Sequence, residues 1–557
     1  QVHAYHARRL GEEFTAVGPD HPDPRAARIT AYLNMVGRVV TAQISALRND
    51  AFEPGRDICR YFELLPECDA KHKYRQMLAE SRPDAKKSLQ DVLRRAVTPG
   101  RVDVNIMTKL DCENWRNGRQ LPPEHNDAMA ALRGFALSDL NGAIVFSAGL
   151  NQRLYSYLAE FPDFQPDAEG RFKKEVILKV SDFRSAKIQG RFLARRGIWV
   201  SEYRVESGLN CGGHAFPTDG RLMGPILEEF RTNRGHLVES LFSQYCKSRK
   251  SAGESLPDTP YPVRITAQGG IGSADEHELM LRFFNLDAAG WGTPFLLVPE
   301  VTCVDEEHLD KLTRCVDEEV FLSDSSPMGI PFWNLRHSAS ENARRARLEA
   351  GRPGSACPKG FLRFDRTYTE MPICKASSTY QQPCLRDIRR DSALSETQRQ
   401  YETESVQHKS CICHDLGGAA LRKYGVKPDA TPAICCGPNI VFFRERLSLE
   451  DLVAHIYGRA SLFGASARPH VFIQELRIYI DYLRDRFEKC ASGCLSLKPE
   501  YFSGFIASLS EGVRYYRDFS RHIVEDGRQR FQAELTALHR EIEELQTEIA
   551  ADFSDCL

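Results

Sequence analysis

No apolar run in the chain approaches the roughly 18–20 residues that cross a bilayer as a helix, so no helical membrane span is expected. An excess of charge of one sign is also missing. The 74 basic and 76 acidic residues leave a formal net charge of −2. That balance gives neither nucleic acid nor a membrane surface an electrostatic footprint. The first residues, QVHAYHARRLGEEF, contain nothing like the apolar core of a secretory signal. A cytoplasmic chain with reduced thiols is therefore expected. There is no internal repeat.

What is present is ordinary globular material in a chain too long for one core. Its 557 residues exceed the roughly 250–300 at which chains split into domains. Residues 1–98 read as an N-terminal helical segment, because ARITAYLNMVGRVVTAQISAL and KKSLQDVLRRAV carry apolar residues at three- and four-residue spacing. Residues 99–331 change texture. Short apolar or β-branched runs (RVDVNIMTK, GAIVFSAGL, EVILKVS, GIWVSEYRV, PVRITAQGG and AAGWGTPFLLV) alternate with helical stretches. Such alternation predicts a parallel sheet. Residues 332–446 are rich in Arg, Ser, Cys and Pro, with few long periodic stretches, and read as a loop-built insert. Residues 447–557 return to helix. There Phe531, Leu535, Leu538, Ile542, Leu545 and Ile549 alternate steps of four and three. This a/d seam suits either packing on its own domain or a homodimer through the C-terminal helix.

Three glycine-containing motifs sit at the ends of the strand-like runs. In GLNCGGHAF, Gly212 and Gly213 let backbone approach a ligand, and His214 is a candidate general acid or base. In ITAQGGIGSADEHELM, Gly269 and Gly270 open onto a helix start near Ser273, which makes an anion site. AAGWGTPF repeats the device one strand later with Gly292 and Thr293. Two successive glycine turns at strand ends are a phosphate grip found in many (β/α) barrels.

Taken in order, these pieces resemble the nitronate monooxygenase (2-nitropropane dioxygenase) family and the related flavin-dependent enoyl-acyl-carrier-protein reductases. The matching residues run Val104-Asn105, Ser147-Ala148-Gly149-Leu150-Asn151, Lys179 in ILKVSDFRSAK, Gly212-Gly213-His214, Gly269-Gly270-Ile271 and Gly292-Thr293-Pro294-Phe295. They span about residues 100–300. The resemblance implies an α/β fold, a (β/α)8 TIM barrel that binds FMN. It puts Asn105 and Lys179 at the flavin ring and ribityl chain. Gly213, Gly269, Gly270, Gly292 and Thr293 would lie at its phosphate, and His214 on the substrate side. Three features depart from the family, the first being that the helical residues 1–98 stand where it has its first strand. Cys211 stands where it has Ala, and the Cys-rich stretch follows where it continues with a short helical domain.

That stretch is the second candidate centre. Of 17 cysteines, seven lie between Cys357 and Cys436, and thiolates so dense select soft metals. The paired C-x₂₋₄-C knuckles of structural zinc are absent. The irregular spacing instead predicts an iron–sulfur cluster of the 4Fe-4S type. Its expected ligands are Cys411, Cys413 and Cys436 with Cys374 or Cys384, while zinc and metal-free thiols stay open. No second Gly-rich dinucleotide fold follows the barrel. The functional expectation is an FMN-dependent oxidoreductase. An electron-carrier protein would supply the cluster and so the flavin, which would reduce an activated C=C bond or a similar small-molecule substrate. The alternatives are an oxygen-using nitronate monooxygenase with a zinc or metal-free insert, and a non-redox barrel that binds a phosphorylated ligand.

Overall fold

The six strand-like runs each yield a strand, at β1 Asp103–Ile106, β2 Gly142–Phe146, β3 Lys174–Val180, β4 Glu202–Glu206, β5 Arg264–Gln268 and β6 Ala288–Gly290. The computed structural model describes residues 1–106, 110–147, 149–213, 215–216, 218–253, 256–463 and 468–554. The strands pair in parallel in chain order. Helices Asp127–Ala136, Gln152–Tyr157, Phe183–Ala194, Met223–Ser251 and Ala274–Arg282 make the crossovers.

The sheet is a half-barrel. β1 and β6 each pair on one side only, so the closed eight-stranded barrel expected from the sequence is not formed among the described residues. The cause lies at both ends of the run. The chain before β1 is helical. After β6 it makes a 3₁₀ turn, Thr293–Leu297, and an antiparallel hairpin of Val320–Ser323 with Phe332–Leu335. That hairpin straddles residue 331.

Strand alternation divides the side chains between the two faces. On the convex face Ile144, Phe146, Leu178, Tyr203, Val205 and Ile265 join the main core beneath the helices. The concave face keeps only a small apolar patch of Ala143, Val145 and Ile177. Much of the rest is polar or charged, with Asp103, Lys179, Glu202, Arg204, Glu206, Thr266 and Gln268.

The N-terminal helix Pro24–Asn49 packs against Asp127–Ala136. Their contact needs Gly134, since a Cβ there would stand 2.8 Å from the Ala26 carbonyl oxygen. The C-terminal helices Val471–Ala491, Pro499–Phe519 and Glu525–Ser554 pack together. All six seam residues from Phe531 to Ile549 are buried in the main core. The seam therefore packs within the chain's own fold. The Cys-rich stretch holds more helix than its periodicity predicts, at Ala339–Glu349, Ser378–Arg390 and Glu396–His408. Serine caps replace the missing apolar pattern. Ser338, Ser377 and Ser395 accept the N–H groups of Glu341, Tyr380 and Gln398.

One buried carboxyl joins the C-terminal helices to the half-barrel. Glu475 accepts the Met223 N–H at 2.8 Å, at the start of a helix whose own N-cap, Leu222, has no side-chain acceptor. Burial lifts Glu475 to about 7. The unfolded chain releases this proton near 4.5 while the folded chain keeps it. Stability from this group is therefore complete below about pH 4.5 and falls by about 3 kcal/mol as pH rises to 7. Urea titrations across that range should show a fall in wild type that is absent in Glu475→Gln. Parallel curves would mean that Glu475 is solvated.

Candidate functional site

The strand β4 reads Glu-Tyr-Arg-Val-Glu, which sends Glu202, Arg204 and Glu206 to the concave face. At the N-terminal end, Glu202 meets Arg101 at 2.9 Å and Thr266 at 2.8 Å. Burial pushes its carboxyl up, but Arg204 and Arg101 outweigh burial and hold it below the usual range. One layer higher, Arg204 reaches Asp103 of β1 at 3.0 Å, across the half-barrel.

The top layer is the candidate site. A single oxygen of Glu206, Oε1, accepts from Lys179 Nζ at 2.9 Å, Asn210 Nδ2 at 2.7 Å and Gln268 Nε2 at 2.7 Å. Lys179 and Glu206 are both buried, with side chains 8% and 3% exposed. An ion pair this deep requires such saturation, because desolvating two charges costs several kcal/mol. Gly213 hangs over the cluster. A Cβ on it would lie 3.7 Å from Lys179 Nζ and 3.9 Å from Glu206 Oε1. Gly212 and Gly213 run at φ 80° and 124°, a conformation that favours glycine. Asn105, two residues beyond Asp103 on the same face, is exposed at the end of β1. His214 lies outside the described residues.

The glycine turns after β5 and β6 are positioned by packing as well as by any ligand. Leu209 and Val471 crowd Gly270, and Cys211 Cβ would lie 3.1 Å from a Cβ on Gly292. The N–H of Gly212 donates to Cys435 Sγ at 3.1 Å. The expected anion site at the start of helix Ala274–Arg282 is filled from within. Glu276 accepts there from Gly272 N–H at 2.9 Å, Val471 N–H at 2.6 Å and Arg468 at 2.7 Å. Among the described residues nothing accepts the N–H groups of Gly269, Gly270, Gly292 or Thr293. Gly269, Gly270 and Thr293 are buried. Unpaired backbone donors at two successive strand ends are what an anion such as a phosphate requires.

The cysteines divide into three groups. Cys374 and Cys411 both interact with the Cys357 sulfur, and Cys411 also with Cys413. The neighbouring thiols stabilise Cys357 and Cys413 as thiolates, which moves their pKa values down. Cys384 instead lies beside Tyr368 and Tyr380. Cys436 is fully buried in an apolar core with Leu297, Ile434 and Ile440, and burial pushes its thiol well up. Cys384 and Cys436 thus lie apart from the other expected ligands, Cys374, Cys411 and Cys413, and Cys357 lies beside those three. Adjacent side chains diverge, which sends Cys435 to the glycine turn and Cys436 into the core. Asp305, Glu307 and His308 also gather ligand atoms, but Lys311 and Arg422 engage the carboxylates.

A cavity of about 710 Å³ runs along the free edge of β1. Asn105 lines it on one side, Tyr32 of the N-terminal helix on another, and Phe361 and Cys413 of the Cys-rich stretch on a third.

Sequence reasoning missed Glu206, Asn210 and Gln268. The alternation of EYRVE and the Asn inside GLNCGGH were the available signals. Glu206→Ala would leave Lys179 buried without a counter-charge. Urea denaturation should show a loss of about 3–5 kcal/mol, mostly restored by a second Lys179→Met substitution. A loss under about 1 kcal/mol, as for exposed pairs, would show that water reaches this layer.

No family model matches the chain, and no curated protein matches it. Among solved structures, the enoyl reductase domain of MlnA, from the macrolactin biosynthesis cluster of Bacillus amyloliquefaciens, is similar over 76% of this chain and 88% of that one. The identity is 13% and the TM-score 0.33, too low to carry any argument about activity.

Proposed function

We propose that the chain is an FMN-dependent oxidoreductase that reduces an activated C=C bond or a similar small substrate at the C-terminal edge of the half-barrel. The observation that carries this reading is the convergence of Lys179, Asn210 and Gln268 on Glu206 Oε1 beneath Gly212–Gly213. Ligands of parallel α/β sheets bind at this edge, and the motif order puts a flavin here.

The residues fit the cofactor at both ends. Gly212 leaves room for a flat ring beside the polar floor, since nothing stands within 4 Å of a Cβ on it, while Gly213 packs directly on that floor. The free N–H groups of Gly269, Gly270, Gly292 and Thr293 suit the phosphate. When bound, the flavin supplies the hydride chemistry. Glu206 holds the Lys179 ammonium in one orientation, so its positive charge is fixed at the floor of the site without reorganisation. Asn105 presents an amide from the open edge of β1. In this reading His214 gives or takes the proton that accompanies hydride transfer.

Purified protein should show flavin absorption bands, and acid should release FMN. Asn105→Leu should weaken FMN binding about tenfold, near the ~1–1.5 kcal/mol of one hydrogen bond. His214→Ala should keep the flavin and lose about 10²–10⁴-fold in turnover. A colourless protein that takes up no FMN when titrated with it would overturn the reading.

A further inference from the structure

Seven cysteines crowd one stretch of sequence, but folding gathers only four of them. These come from three separate places, the loop around Cys357, the turn at Cys374 before helix Ser378–Arg390, and the Cys411-Ile-Cys413 step after helix Glu396–His408. All four are free thiols. We propose that Cys357, Cys374, Cys411 and Cys413 ligate one iron–sulfur cluster in the wall of the cavity beside β1. The proposal rests on the cysteines alone and stands apart from the flavin reading.

Core packing does not explain the arrangement. Cys374 and Cys411 are buried, but Cys357 and Cys413 are only half-buried, and Cys413 lines the cavity. Cys357 has a left-handed backbone, φ 49°, which is uncommon for a residue other than glycine. The chain takes up that conformation at a position where the side chain joins three other thiols. Leu110, Met328, Leu362 and Ala376 pack around the group, an apolar shell of the kind that sets access and dielectric around a metal. Backbone N–H groups of Gly360 and Phe361 are directed at the sulfurs of Cys357 and Cys413, and such hydrogen bonds tune clusters. Cys112 fixes this loop, its Sγ donating to the Phe361 carbonyl at 2.9 Å.

The spacing distinguishes a cluster from a single ion. Zinc bound tetrahedrally at about 2.3 Å needs its thiolates about 3.8 Å apart. Among the described residues no three cysteine sulfurs lie within 4.8 Å of one another. Cys357 contacts Cys374 and Cys411, and Cys411 contacts Cys413, so the four thiols form an extended row and not the compact tetrahedron of one ion, and a polynuclear centre held by four cysteines accommodates such a row. Its exposed side faces the cavity that Asn105 also lines.

The test uses the full chain purified without oxygen. Iron, acid-labile sulfide, zinc and flavin are measured in the same sample. Iron and sulfide in equal amounts, with visible absorbance bleached by dithionite, is the expected result. Cys413→Ser and Cys357→Ser should each lose most of the iron, and Cys384→Ser should keep it. Stoichiometric zinc, absence of metal from the wild type, or equal iron loss in Cys384→Ser and Cys413→Ser would overturn the site. The wild-type measurement decides even if a variant fails to fold. Iron present without flavin would count against the proposed function and leave this site standing.

Discussion

Two buried carboxylates on one strand organise this protein. Glu202 and Glu206 both face the concave side of β4, 1% and 4% exposed. A carboxylate so placed must be met by cations or by several donors, or it would neutralise. Glu202 is met by Arg101, Arg204 and Arg264, and Glu206 by Lys179 with two amides. Lys179, Arg264 and Gln268 come from the strands on either side, Arg101 from the segment that enters β1, Arg204 from β4 itself and Asn210 from the loop after it. The charges therefore specify which strands neighbour β4 and in what register. They also keep the interior of the half-barrel polar, where a closed barrel stacks branched apolar side chains. The open edge of β1 and the cavity along it accompany that choice.

The segments outside the sheet complete the site. Arg468 and Asn439 both bond the Gly270 carbonyl oxygen, so the turn after β5 is held by residues about 170–200 positions away in the chain. Glu276 pairs with Arg468 and takes the helix terminus that a phosphate could otherwise use. Cys435 takes the N–H of Gly212. The contacts made by Glu276 and Cys435 occupy backbone donors at this edge, and those of Arg468 and Asn439 occupy a carbonyl oxygen. The free N–H groups at Gly269, Gly270, Gly292 and Thr293 are what remains, and the proposed phosphate position follows from them.

The Cys-rich stretch and the N-terminal helix Pro24–Asn49 meet at the edge of β1. They stand where further strands would have to pair to close a barrel. Of the four gathered thiols Cys413 lines one wall of the resulting cavity, and Asn105 lines another. Asn105 links the proposed flavin site to this cavity, and each proposed centre rests on its own observation.

Sequence alone determined the order of the strands, their convex faces and the glycine turns at their ends. These are local properties, since period-two alternation and left-handed glycines are written in neighbouring residues. It also marked Cys374, Cys411 and Cys413, because thiol density in a polar stretch is local. Tertiary structure decided the rest. Closure failed because pairing at β1 and β6 depends on residues far away in the chain. Glu206 became the hub of the site because Lys179, Asn210 and Gln268 arrive from different strands and loops. In the proposed cluster the last ligand position falls to Cys357 and not to Cys384 or Cys436. Spacing says how far along the chain a thiol lies, and only the fold decides which way it points: Cys384 toward two tyrosines, Cys436 into an apolar core.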